Sequence, residues 1–381
     1  MKIFKFGGAS VKDALGVKNL VNVVSKKGDK NTVVVVSAMG KTTNALEKII
    51  SNYFKNTSDV DFLILELHNY HKNIMNDLFD DKHQIFNDVS ILFQKLKFFL
   101  DNNKSPNYSF VYDQVVAYGE IISTTIINSY LNSKNIDSTW IDARDCIKTD
   151  SNFRGGNVQW VDTQKNICNN IKKGKINVTQ GFIASDKNNF NTTLGREGSD
   201  YTAAIFAYSL NSESVTIWKD VPGVLNGDPK VFSNSKLLDQ ISYSEAIELA
   251  FYGASVIHPK TLQPLQKKEI PLYVKSFLNP DQNGTKISKG LDLIPKTPCY
   301  IYKGNLDLIK LSSLDFSFIV EDNISKIFKI LHEFKMKVDV IQNSAISFSV
   351  CIFDKYNHLN DFVNKMEGKF NINIYKNVCL Y

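Results

Sequence analysis

Short runs of β-branched residues alternate along this chain with stretches in which apolar positions recur every three to four residues. That alternation predicts strands joined by amphipathic helices, and hence an α/β architecture on a mainly parallel sheet flanked by helices. Ile3–Phe6 reads as a first strand, and Thr32–Val36, β-branched throughout, as a strand buried on both faces. Between them Val17, Leu20, Val21 and Val24 form one helical stripe. Ile85, Val89, Leu92, Leu96 and Phe99 predict a long helical region, and Asp113–Tyr130 a further helix. Strands are expected at Thr139–Ile141, Asn177–Ile183 and Val215–Trp218, with Leu272–Phe277 as the last strand of the unit. Ser242-Tyr-Ser-Glu245 has the spacing of a capping box, opening a helix to about Phe251.

Pro, Gly, Asp and Lys cluster at Asn279–Pro298, which places a domain boundary there. Beyond it come a strand (Leu306–Leu311), a helix (Ile324–Phe334), two strands (Val338–Ile341 and Ala345–Phe353), a helix (Leu359–Lys369) and a strand (Ile372–Val378). This is the βαββαβ order of a ferredoxin-like α+β domain. The expected division is therefore 1–290 and 299–381, the first part subdivided near 210.

Composition narrows the function classes. With 43% apolar and 22% charged residues, the 381-residue chain is no disordered polymer. The net charge of +6 is small for this length, and no Lys/Arg block exceeds two residues, which argues against nucleic acid as a partner. No apolar run approaches the ~18–20 residues that span a bilayer, so no membrane association is expected. The five cysteines are odd in number and lack any CxxC, which predicts free thiols in a reducing cytoplasm.

Candidate chemistry lies in a few turns. In Lys5-Phe6-Gly7-Gly8-Ala9-Ser10-Val11, paired glycines between strand and helix allow backbone N–H groups to converge on a phosphate, with Lys5 adding a full charge. The same pattern also fits a plain tight turn. In Thr192-Thr193-Leu194-Gly195-Arg196-Glu197-Gly198-Ser199-Asp200, an arginine suited to a carboxylate precedes a helix through Leu210. Ser199 or Asp200 could equally be that helix's N-cap. Val36-Ser37-Ala38-Met39-Gly40-Lys41-Thr42-Thr43-Asn44 resembles a P-loop, but Val35 stands where its first glycine belongs. Lys219–Lys230 carries successive Pro/Gly turns in a loop long enough to wrap a ligand. Glu120, in an apolar helical stretch, reads as an ammonium partner or as an exposed helix carboxylate. His68 and His71, three apart, read as surface histidines rather than a metal pair, and no metal ligands are assigned.

Taken in order, KFGGASV, SAMGKTTN, GEIIST, IDARDCIKTD, TTLGREGSD, KDVPGVLNGDPK and GASVIHPKTL resemble the aspartokinases of the amino-acid kinase family. The C-terminal pattern is similar to their ACT modules. The resemblance implies phosphorylation of the L-aspartate side chain by ATP with Mg²⁺, at the entry to lysine, threonine and methionine. It implies that Lys5, Gly7 and Gly8 hold the transferring phosphoryl group and that Asp200 organises Lys5. Arg196 would take the substrate α-carboxylate and Glu120 its ammonium, with Ser37, Thr43, Gly198 and Ser199 completing the pocket. Lys219, Asp220, Leu225, Lys230 and Ser255 would lie against the nucleotide. A homodimer or higher homo-oligomer, with an effector amino acid at the ACT-like part, is also implied.

The chain departs from the family pattern at Ala9, where Thr is usual, and at Glu197, where Gly is usual. Lys219, Leu225 and Lys230 replace Thr, Tyr and Arg, and Ser255 stands where Lys is common. Only one ACT-like unit follows residue 297. These departures motivate an alternative, a catalytically weakened amino-acid-binding regulatory protein that keeps the fold.

Overall fold

The computed structural model describes every residue except 254–256, 291 and 316. The chain divides into two compact units. The first comprises Met1–Leu225, Lys236–Ala250 and Ser255–Thr297, the second Asn226–Ser235, Phe251–Ala254 and Pro298–Tyr381.

The first half of unit 1 runs β1 (Lys2–Phe6), α1 (Ala14–Lys27), β2 (Thr32–Val36), α2 (Thr42–Phe54), α3 (Val60–Asn76), α4 (Ile85–Asn102), α5 (Tyr108–Ser133) and β3 (Ser138–Ile141). It continues with α6 (Ala143–Cys146), α7 (Trp160–Asn170), β4 (Ile176–Gln180), β5 (Ile183–Ser185), β6 (Asn191–Thr193), α8 (Gly198–Leu210) and β7 (Ser214–Lys219). It closes with β8 (Gln240–Ser242), α9 (Tyr243–Tyr252), α10 (Pro259–Lys267), β9 (Leu272–Ser276) and β10 (Thr285–Ser288). Eight strands form one sheet in the order β3-β4-β2-β1-β7-β9-β10-β8, parallel except at the β9–β10 pair. All five residues of β2 are buried, as expected of a strand covered by helices on both faces.

β1 sits where the strand order reverses, with β2 on one side and β7 on the other; Phe6 lies opposite both Val36 and Trp218. In open α/β sheets the crevice for ligands lies beyond the carboxyl ends of the strands at such a switch point. Side chains alternate across β1, so Phe4 and Phe6 pack on Trp218 while Lys5 points to the opposite face.

Several elements differ from those the sequence pattern predicts. Asn177–Ile183 is not one strand: β4 ends at Gln180, Phe182 takes a left-handed φ of 71°, and β5 pairs with β6 instead. Leu272–Ser276 is not the last strand of its sheet, because Thr285–Ser288 follows it inside the expected boundary segment. The cap of α8 is Glu197, without a side-chain cap bond, so neither Ser199 nor Asp200 is its N-cap. His71 is not at the surface; it is buried against the Leu67 carbonyl and Thr42, and burial lowers its pKa to about 4. The capping box forms as read, with Ser242 N–H donating to Glu245 at 3.0 Å and Glu245 N–H to Ser242 Oγ at 3.2 Å.

Unit 2 contains β11 (Lys303–Ser312), α11 (Glu321–Glu333), β12 (Lys337–Asn343), β13 (Ser347–Phe353), α12 (Leu359–Met366) and β14 (Asn371–Leu380). Its antiparallel sheet runs β12-β13-β11-β14, and its own core gathers Ile309, Leu311, Ile327, Phe348, Val350 and Phe362. All five cysteines are free. Among the described residues no helix is long and apolar enough to cross a membrane.

Candidate functional site

The carboxyl ends of β1, β2 and β4 feed turns that converge on one cavity of about 430 Å³ in unit 1. Lys5, Ser37, Thr43, Glu120, Arg196, Gly198, Ser199 and Asp200 all line it, although they span nearly 200 positions of sequence.

Its floor is an ion pair. Lys5 on β1 and Asp200 in the first turn of α8 meet at 2.6 Å, both buried. At that separation Lys5 Nζ and Asp200 Oδ1 are in direct ionic contact, and among the described residues neither Asp200 oxygen has a further hydrogen-bond partner. Removing two charges from water is costly unless they are paired, and losing either partner would strand the other. Such a pair fixes a cation at a set place.

Beside it the turn after β1 brings its backbone close to the turn after β2. A Cβ on Gly8 would sit 2.7 Å from the Ala38 carbonyl oxygen, so only glycine fits there. Gly40 N–H donates to the Gly8 carbonyl at 3.0 Å. Among the described residues no backbone carbonyl accepts from the N–H of Gly7 or Gly8, which leaves both available for an anion. A second close approach lies at Gly181, where a Cβ would meet the cavity residue Ser199 at 2.5 Å.

The long helix α5 supplies the other polar wall. Glu120 is buried, accepts from Ala38 N–H at 3.3 Å through Oε1, and leaves Oε2 without a partner. Burial raises its pKa to about 8, against the weaker opposing pull of its hydrogen bonds. Two turns from it Asp113, also buried, accepts from the N–H of Arg154 (2.9 Å) and from the N–H and Oγ1 of Thr193 (3.0 and 2.9 Å). Burial raises the Asp113 pKa to about 6. Ser123 Oγ donates to the Ser37 carbonyl at 2.8 Å, tying α5 to the turn after β2.

The cavity also takes in Tyr112, Arg154, Phe182, Thr193, Gly195 and Glu197. The sequence reading assigned no role to Tyr112, Arg154 or Phe182. The scarcity of arginine was the signal that could have found Arg154, one of only three in the chain. Glu197, read as a departure, sits here with a left-handed φ of 55°. Lys219 ends β7, Asp220 and Leu225 follow it, and none of the three lines this cavity. Lys230 falls in unit 2, where its N–H caps a local turn on Asp228. Ser255 lies outside the described residues. Among the described residues no group of three or more His, Cys, Asp and Glu is arranged to hold a metal ion.

A profile of the amino acid kinase family matches residues 1–276. The chain belongs to that family. It is similar to lysine-sensitive aspartokinase 3 of Escherichia coli (strain K12), with 29% identity over 92% of this chain and 78% of the relative. It is 32% identical to a bifunctional aspartokinase/homoserine dehydrogenase of Buchnera aphidicola over 93% of this chain, but spans only 45% of that protein. It spans 63% of aspartokinase 1 of Arabidopsis thaliana, at 31% identity. Among solved structures it resembles E. coli aspartokinase III in complex with aspartate and ADP, with a TM-score of 0.82 and 26% identity over all of this chain and 86% of that one.

Proposed function

We propose that this protein transfers the terminal phosphoryl group of ATP to the side-chain carboxylate of L-aspartate, giving 4-phospho-L-aspartate for the lysine, threonine and methionine branches. The observation that carries the reading is one cavity holding the Lys5–Asp200 pair together with Arg196 and the half-satisfied Glu120. It is supported by the likeness to a structure described with aspartate and ADP.

The chemistry asks little of the protein beyond placement and charge. The acceptor carboxylate is already anionic at neutral pH, so it attacks phosphorus without a general base. As the new P–O bond forms, the bond to the bridging oxygen of ADP breaks, and no proton changes hands. Catalysis is then alignment plus neutralisation of charge on the equatorial oxygens. Lys5, held by Asp200, supplies a fixed positive charge at that point. The N–H groups of Gly7 and Gly8, which have no backbone acceptor among the described residues, are assigned to the same phosphate. Arg196 receives the α-carboxylate, and the unpartnered Oε2 of Glu120 receives the ammonium. Ser37, Thr43, Gly198 and Ser199 bound the acceptor. Lys219, Asp220, Leu225, Lys230 and Ser255 are assigned to the nucleotide side.

The donor set fits a metal that arrives on the nucleotide rather than in a protein cage: Asp200 offers a carboxylate whose Oδ2 has no partner, and among the described residues no group of three or more His, Cys, Asp and Glu could hold the ion. Asp200 would be the protein-side ligand of Mg²⁺, which would supply further charge neutralisation. We assign 1–290 to the kinase domain and 299–381 to an ACT-like domain that binds an effector amino acid and mediates homo-oligomer formation, in a cytoplasmic protein.

A coupled ADP-release assay tests the reading. Turnover is expected with L-aspartate and not with L-glutamate or N-acetylglutamate. Aspartate binding without turnover would favour the regulatory alternative, for which Glu197 beside Arg196 in the cavity speaks.

A further inference from the structure

Arginine is scarce in this chain: of 45 Lys+Arg residues three are arginine, Arg144, Arg154 and Arg196. Lysine and arginine differ less in charge than in shape, since the guanidinium is a planar fork that grips carboxylates in two places and stacks on aromatic rings. Two of the three line the same 430 Å³ cavity. The third, Arg144, is engaged within the fold, on Asp142 at 2.6 Å and on Asn191 at 3.2 Å. Neither Arg154 nor Arg196 has a carboxylate within ion-pair distance among the described residues.

Arg154 is held in place with care. Its backbone takes a left-handed φ of 68°, and its N–H donates to Asp113 at 2.9 Å. A side chain other than glycine adopts that conformation only where the surroundings impose it. Its guanidinium carbon stands 4.3 Å from the centre of the Tyr112 ring and 5.7 Å from that of Tyr108. Stacking restricts the side chain, and among the described residues no acceptor hydrogen-bonds its guanidinium N–H groups. Asp113 acts on the guanidinium through space but forms no direct ion pair with it; its oxygens accept instead from the N–H of Arg154 and from the N–H and Oγ1 of Thr193. The turn bearing Arg154 also packs on the turn bearing Arg196. Gly156 N–H donates to the Thr193 carbonyl at 2.9 Å, and a Cβ on Gly195 would lie 3.5 Å from the Arg154 oxygen.

We infer that Arg154 is a second guanidinium of the acceptor subsite, gripping a carboxylate of a dicarboxylate acceptor alongside Arg196 and so setting the preference for doubly anionic acceptors. The inference rests on the acceptor reading above. An arginine serving only to brace the 150s turn would need neither an open fork nor a place in the cavity wall.

Steady-state kinetics of wild type, Arg154→Met and Arg154→Lys test it, with thermal midpoints checking that each is folded. In Arg154→Met the Michaelis constant for aspartate should rise roughly tenfold or more, the loss expected for one charge-assisted contact. That for ATP and the turnover number should stay within about twofold, as for a group that binds ground and transition states alike. Arg154→Lys should fall between, keeping the charge without the fork. An unchanged aspartate constant in folded Arg154→Met, or parallel changes in the ATP constant and turnover, overturns the inference. Absence of aspartate-dependent ADP release in wild type would instead sink the acceptor reading. Equilibrium dialysis with succinate, which needs no turnover, then still decides on Arg154. Binding by wild type that is lost in Arg154→Met supports the assignment, while equal binding or none by either overturns it.

Discussion

A carboxyl group removed from water and given no cation keeps its proton, and Glu120 is in that position. With its pKa raised to about 8 against an ordinary value of 4.5, it holds a proton in the folded protein at neutral pH while the unfolded chain does not. The folded state therefore binds more protons between those two values. The contribution of Glu120 to stability is full below about 4.5 and is lost as pH rises through about 8. An arriving ammonium reverses the preference, so acceptor binding must expel that proton. The aspartate Michaelis constant should then fall as pH rises from about 6 to 8, by up to about tenfold per unit. Calorimetry in buffers of different ionisation enthalpy should show proton release on binding. Glu120→Gln should abolish both the slope and the release; a slope retained in that variant would remove Glu120 from the ammonium subsite. Sequence left this residue open between an exposed carboxylate and an ammonium partner, because helical spacing says which face a side chain occupies but not what covers the face.

At the scale of elements, α5 does more than cover the sheet. Asp113 on α5 receives three donors from the 150s turn and β6, and so joins three segments that frame the cavity. An asparagine there offers one acceptor oxygen and two donors of its own, so at least one donor of Thr193 or Arg154 would face an N–H. Asp113→Asn should cost about 2–3 kcal/mol. Urea denaturation would register it as a lower midpoint at unchanged slope, and an unmoved midpoint would mean that the three bonds do not hold the frame. Elements whose cause is local were legible: Thr32–Val36 by its unbroken β-branched run and α9 by its reciprocal Ser242–Glu245 cap. Elements decided by distant partners were not. Asn177–Ile183 breaks because the backbone at Gly181 must pass Ser199, and His71 is buried because α3 packs against Thr42 of α2. Neither fact has a signature in the residues' own neighbourhood.

At the scale of the whole molecule, the two units have separate cores and separate sheets. Within unit 1, groups from residue 5 to residue 200 are gathered by a single topological fact, the reversal of strand order at β1. The motif order along the chain gave access to most of the gathered set, since glycine turns, a lysine and an arginine carry their chemistry in their type. Arg154 escaped that reading because its turn has no motif around it, only aromatic neighbours from α5. The central claim is that this cavity makes an acyl phosphate on the aspartate side chain. Hydroxylamine trapping tests it most directly, because an acyl phosphate converts to a stable hydroxamate. With Mg-ATP and L-aspartate the protein should yield the 4-hydroxamate of aspartate in proportion to ADP released, and Lys5→Met should yield neither. ADP release without hydroxamate, or hydroxamate formation undiminished in Lys5→Met, would contradict the account.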